Sequence, residues 1–298
     1  MSVEWKEFLH RFLRNHLAVF GLAMVMLVVV AAAASFLVAP HEKVITQNLK
    51  VALQPPSMEH FFGTDHLGRD IFSRVVYASR TSLLVGFTVV AMGMSLGTLL
   101  GLLAGFFGGW VDSVISRFTD VMLAFPFLLL AIAVSATVGP MLLDMLVERG
   151  FNRSQFSMLP VIIALGFASF PSYTRLVRGS VLSLKEEQFV DAARGIGVGS
   201  LAIMLRHILP NLFGTLLVYG TLRVSTAILA ESGLSYLGLG ALPPEPTWGN
   251  MLSDGREYLL FYLWLPLFPG LAILITVMGF NCLGDGLRDL LDPRLKDN

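Results

Sequence analysis

The sequence predicts an all-α, polytopic membrane protein with six transmembrane helices. Three observations predict it. Of 298 residues, 55% are apolar and only 14% are charged, against about 25% charged in an average soluble domain. Five charge-free intervals are long enough for the roughly 20 apolar residues that cross a bilayer. A sixth apolar stretch, Leu212 to Leu239, is interrupted by Arg223 and Glu231.

The composition excludes other classes. Disorder requires low hydrophobicity and high charge, whereas here 21 basic residues balance 21 acidic ones. A nucleic-acid binder carries a basic excess, so no nucleic-acid partner is expected. Cys282 stands alone, which rules out a disulfide scaffold.

The charge-free intervals are 27 residues (Arg14 to Glu42), 31 (Arg80 to Asp112), 23 (Asp120 to Asp144), 21 (Arg153 to Arg175) and 27 (Glu257 to Asp285). They place spans at 17–38, 83–107, 121–143, 158–178 and 260–283, with the sixth at 212–239. The first apolar stretch exceeds the 7–15 residues of a signal-peptide core, so it reads as a retained helix. With the N-terminus inside, 12 Lys and Arg lie inside and 8 outside, and Arg223 lies within the membrane. Basic residues favour the cytoplasmic side, which puts both termini there.

The first outer loop, about 39–82, starts irregular, with Pro40, Pro55 and Pro56, and reads as helical from Asp70 to Ser82. The second span carries glycine at 93, 97, 101, 105 and 109. That spacing lets a neighbouring helix approach closely, as bundle packing or as a sliding surface. The third span opens near Phe125-Pro126, a candidate kink. The loop near 240–257, with Pro243, Pro244 and Pro246, reads as extended or turned. Asn152-Arg153-Ser154 matches a glycosylation triplet too common to carry weight.

Between the fourth and fifth spans lies KEEQFVDAARGIGVGSLAIMLRHILPN, Lys185 to Asn211. Ser183 and Glu186 fit a capping box. Phe189, Val190 and Ala193 give a short apolar face, and Gly195, Gly197 and Gly199 end that helix. Ser200 is placed to cap a second short helix through Ile208, and Pro210 suits the first turn of the next span. A low-profile helix–turn–helix of this kind either caps the bundle or docks in another protein's groove.

Asp191-Ala192-Ala193, Gly197 and then Ile208-Leu209-Pro210 resemble the EAA coupling loop of ABC importer permeases. Asp191 replaces the usual Glu, and His207 occupies the usual Ile place. Phe62 to Asp70 with Ser73-Arg74, Ala230 to Gly240, and Gly284 to Asp289 with Leu291-Asp292-Pro293-Arg294 resemble the same family's dipeptide, oligopeptide and nickel branch, in its C-type subunit. The resemblance covers about residues 10 to 295.

That resemblance implies a type I ABC importer permease fold in the inner (plasma) membrane. Its parts are an N-terminal segment, first helix and outer loop (1–82), a permease core with the coupling loop 183–211 (83–283), and a cytoplasmic tail (284–298). It further implies a B-type permease partner, two cytosolic ATP-binding subunits that hold ATP and Mg, and an extracytoplasmic solute-binding protein. Asp191, Ala192, Ala193, Gly197, Ile208, Leu209 and Pro210 are the expected coupling residues.

The sequence has no phosphate-binding loop and no catalytic cluster, so neither a catalytic site nor a cofactor is expected in this chain. No metal site is expected either; His60 and His66 lie close in sequence, but without the further ligands a site needs. Arg223 and Glu231 are candidates for the translocation pathway or for structural pairs with the partner permease. Asp65, Arg69, Asp70 and Trp248 are candidates for binding-protein contact. For the three charged residues the alternative is a loop whose Asp and Arg pair with each other, and for Trp248 an interfacial anchor. Peptides are the expected solutes, with glutathione or nickel complexes as the alternative. A stand-alone secondary transporter is a further reading.

Overall fold

The computed structural model describes residues 10–153 and 156–291. Ser154 of the glycosylation triplet lies outside the described residues, as do Asp292, Pro293 and Arg294 of the C-terminal motif. So do Lys6 and Lys296 of the charge count.

The described residues fold as α1 (His16–Val38), α2 (His41–Ile45), α3 (Ile71–Phe107), α4 (Gly109–Ala124), α5 (Phe127–Glu148) and α6 (Leu159–Leu184). There follow α7 (Gln188–Gly195), α8 (Ser200–Ile203), a π turn (Met204–Ile208), α9 (Leu209–Tyr236), α10 (Trp248–Arg256) and α11 (Trp264–Leu291). Six helical stretches are long and apolar enough to cross a membrane: α1, α3, α5, α6, α8 to α9 taken together, and α11.

The second span begins earlier than its hydropathy. Asp70 caps α3 through the Ser73 amide, 2.8 Å, and one helix of 37 residues runs unbroken through position 82. The last span, α11, runs on past 283 and carries Asp285, Arg288 and Asp289, all exposed, beyond the apolar stretch.

The third span starts at its proline rather than kinking there. Residues 121–124 close α4, and α5 starts afresh at Phe127. Pro126 pushes the residue before it out of the helical region, and Phe125 is extended at φ −86°, ψ 137°.

The glycine stripe packs the bundle. Gly93, Gly97, Gly101 and Gly105 face Ser169, Tyr173, Val177 and Val181 on α6. A Cβ on Gly97 would stand 2.7 Å from the Phe170 carbonyl oxygen, so only glycine permits this approach. Gly109 lies beyond the stripe. A Cβ there would meet nothing within 4 Å, and Gly109, with Gly108, takes a positive φ that turns α3 into α4.

The coupling-loop boundaries also shift. Ser183 belongs to the last turn of α6, which persists because Val177 and Val181 are buried in a common core. Extended Glu187 precedes α7 instead. Gly199 precedes α8, so Ser200 is its first helical residue rather than its cap. The chain does not stop at Ile208 but passes through the π turn into α9. Pro210 cannot donate to Arg206 and clashes with it. The wider turn absorbs this, with the Leu209 amide bonded to the Met204 carbonyl.

Near 240–257 only the proline-rich part is irregular. Thr247 and Asn250 form a reciprocal capping box, 3.2 and 2.9 Å, that starts α10.

Candidate functional site

Three regions carry the predicted site residues. The first is the loop between α6 and α9. Val190, Ala193, Ile203, Met204 and Ile208 are buried in one core with Leu102, Val177, Val181, Leu212 and Leu216. The loop is therefore fastened to α3, α6 and α9. Its other side is solvent-facing: Ile196 is 82% exposed, Leu201 65% and Leu205 50%. Asp191, Ala192 and Gly197 are exposed too.

Asp191 pairs loosely with Arg194 at 3.5 Å and caps nothing. Gly197, at φ +83°, ends α7. The Val198 amide reaches back to the Ala193 carbonyl and the Gly197 amide to that of Arg194, both at 3.0 Å. This is a Schellman motif, which places a left-handed residue at Gly197. Ile208 is buried, Leu209 half-buried and Pro210 exposed. Exposed Ile196, Leu201 and Leu205 were not singled out by sequence reasoning; the loop is rich in apolar residues, and only the fold separates these three from the buried Val190, Ala193, Ile203, Met204 and Ile208.

The second region is a partly open cleft of about 80 Å³. Arg223, Tyr173, Ser169, Ser172 and Thr226 line it with Phe125 and Phe127. The Arg223 guanidinium donates to the Tyr219 hydroxyl and lies 4.7 Å from that ring. Tyr219 and Tyr173 meet edge to face at 5.1 Å.

Glu231 is not in this cleft. It is fully buried, accepts from the Ser235 hydroxyl at 2.6 Å and from Ser232 at 3.4 Å, and has Thr247 beside it. The eight-residue separation does not bring the two charges to one surface, because α10 covers Glu231 and not Arg223.

The third region is the outer loop, where the charged residues pair with one another. Asp65 accepts from Arg69 Nε at 2.6 Å and lies 3.8 Å from Arg74 Nε. Both arginines reach Asp254, at 3.3 and 4.0 Å. Asp70 caps α3 and bonds His60 Nδ1 at 3.0 Å. Asp65, Arg69, Asp70 and Arg74 are all buried. Trp248 is 1% exposed and donates to the Val75 carbonyl at 3.0 Å. The candidate contact residues therefore brace the loop against α10 and do not face outward, and Trp248 is a core residue rather than an interfacial anchor. Arg74 stood in the resemblance motif but not among the candidate site residues, and Asp254 was missed by sequence reasoning, since it meets the loop only through the fold.

α4 is held by Asp112, bidentate to Arg178, and by Asp120 to Arg175 at 2.7 Å. The Arg178 hydrogen bond holds the Asp112 carboxyl below the usual carboxylate range. Among the described residues no group of three or more His, Cys, Asp and Glu could hold a metal ion.

Comparison with known proteins adds to this geometry. A family model described as binding-protein-dependent transport system inner membrane component matches residues 97–297. One described as the N-terminal TM domain of oligopeptide transport permease C matches residues 4–56. The chain is 44% identical to the dipeptide transport system permease protein DppC of Alkalihalophilus pseudofirmus, over 98% of this chain and 90% of that one. It is 42% identical to the glutathione transport system permease protein GsiD of Pectobacterium atrosepticum, over 98% and 92%. It is 44% identical to GsiD of Escherichia coli, over 98% and 91%.

Proposed function

The chain belongs to the family of binding-protein-dependent transport system inner membrane components, and from that premise we propose how it works. It is a multi-pass permease subunit of an ABC importer. The solutes we assign to it are peptides. The support is that its relatives are named for dipeptides and for glutathione, itself a peptide. A stand-alone carrier loses its ground, since such a carrier has no use for a loop of this kind.

In our reading the chain forms half of a translocation path with a B-type permease, and a solute-binding protein delivers the solute from outside. Both termini and the loop 185–211 face the cytoplasm. The power stroke comes from two cytosolic ATPases that hold ATP and Mg, and this chain has no catalytic site. Asp191, Ala192, Ala193, Gly197, Ile208, Leu209 and Pro210 shape the coupling element, and Arg223 lines the path.

One observation carries the coupling role. Residues 188–208 bury one apolar side in a core shared with three spanning helices and leave Ile196, Leu201 and Leu205 in solvent. Exposed apolar side chains rigidly backed in this way fit a groove in a partner. A push on the loop is then a push on α9.

Ile196→Asp with Leu201→Asp tests it. The double variant is expected to lose copurifying ATPases while retaining the second permease. Retention of both, with normal uptake, would overturn the coupling role.

A further inference from the structure

Several groups around the cleft lack the partner their chemistry demands. Arg223 lies in the middle of α9, roughly 20 Å from either end at 1.5 Å per residue. Among the described residues its guanidinium has the Tyr219 hydroxyl and ring, and no carboxylate within ion-pair distance. A cation at membrane depth faces a cavity and seeks a counter-charge. Tyr173 is 1% exposed, lines the same cleft, and its hydroxyl has no hydrogen-bond partner.

The backbone break at Phe125-Pro126 borders the cleft as well. A cation, an orphaned hydroxyl and an interrupted helix thus converge on one open space.

The ligand that satisfies them is narrow in chemistry. Guanidinium is donor-only, and a phenol can donate. A carboxylate is acceptor-only, planar and negative, and takes two parallel bonds from an arginine. A neutral solute would leave the charge of Arg223 uncompensated, and a cationic one would be repelled. Ser169, Ser172 and Thr226 add small hydroxyls to the wall, leaving room beside the charge.

We propose that Arg223 and the Tyr173 hydroxyl form a carboxylate subsite midway along the path, which takes a carboxylate of the peptide in transit. This rests on the reading of the chain as a peptide permease. The same chemistry has a second source, an acidic side chain of the partner permease.

The test uses the whole importer in proteoliposomes: this chain, the second permease, the ATPases and the binding protein. Uptake of alanyl-phenylalanine is compared with uptake of its C-terminal amide, each at a concentration that saturates the binding protein. The binding protein is unchanged between variants, so its own preference cancels in the ratio.

Arg223→Gln is expected to lower acid uptake roughly tenfold to a hundredfold, the weight of a hydrogen bond to a charged group. Amide uptake should rise rather than fall, because the amide is cationic and Arg223 repels it. Arg223→Lys should keep more acid uptake than Gln, because it keeps the charge but not the fork. Tyr173→Phe should lower acid uptake by a smaller factor.

Equal loss of acid and amide would overturn the subsite. Loss of the copurifying second permease from Arg223→Gln would overturn it too, and would assign the carboxylate to that subunit. No uptake of either compound by the wild type would overturn the peptide reading, and the subsite with it.

Discussion

Gly197 separates two ideas about the coupling loop, one conformational and one steric. Its φ of +83° is left-handed, and a Cβ built there meets nothing within 4 Å. A substitution is therefore penalised by the backbone alone. For an ordinary L-residue that penalty is about 1–2 kcal/mol. A fold stable by about 5–15 kcal/mol survives it. The Schellman turn bears it locally, because releasing the Val198 and Gly197 amides relieves the strain. A shift of this size changes the ratio of closed to open turn by roughly 5- to 30-fold. Asn enters the left-handed region far more readily than Ala. Gly197→Ala is thus expected to lower peptide uptake per ATP hydrolysed, with normal amounts of complex in the membrane. Gly197→Asn should lie near the wild type although its side chain is larger. The assay is paired uptake and ATPase measurement in proteoliposomes. If Asn uncouples as strongly as Ala, bulk against the partner governs and the conformational reasoning is refuted. If neither changes uptake per ATP, the turn has no part in coupling.

Other perturbations discriminate as clearly. Gly97→Ala sets a Cβ 2.7 Å from the Phe170 carbonyl and should sharply reduce folded protein, whereas Gly109→Ala, with open space around it, should cost only about 1–2 kcal/mol; thermal melting of the detergent-purified complex compares them. Asp65→Ala leaves Arg69 and Arg74 buried with only the more distant Asp254, and should cost about 3–5 kcal/mol, seen as faster proteolysis of residues 46–70; Asp254→Ala, at a half-exposed site, should cost much less. The depressed Asp112 carboxyl stabilises the fold above the ordinary carboxylate value and loses this as pH falls through its lower folded value. Asp112→Asn should therefore melt earlier than wild type at pH 7 but together with it in strong acid, by about 1 kcal/mol or less because both partners are partly solvated.

Legibility in the sequence followed the range of the interaction. Spans were readable because a charge-free run is a local property, and the glycine stripe because its period belongs to one helix. Boundaries failed where a distant contact outvoted the local signal. α6 outruns its predicted end because Val181 finds a core formed with Leu102, Ile203 and Leu212. The Ser183 capping box loses to that burial. Pro126 and Pro210 show that one residue type has two outcomes. The first separates α4 from the span α5, and the second is absorbed by a π turn. Beside Pro210, Asn211 donates to the His207 carbonyl of the π turn at 2.6 Å, whereas Pro126 has only apolar residues within four positions.

The charged residues divide along the same line. Asp65 and Arg69 are near enough in sequence for pairing to be one open reading, but Asp254 reaches them only through the fold. Glu231 and Arg223 look alike as intramembrane charges, yet one is sealed by hydroxyls under α10 and the other faces an open cleft. That difference has a mechanical consequence in our reading. A charge with its hydrogen bonds complete within the fold fixes the outer end of α9. One that lacks a counter-charge keeps the middle of the same helix answerable to what passes. The cytoplasmic end of α9 is continuous through the π turn with the coupling loop. A single helix thus carries the lever, the proposed solute contact and the fixed point, so a tilt driven at the loop about the outer end near Glu231 must displace Arg223.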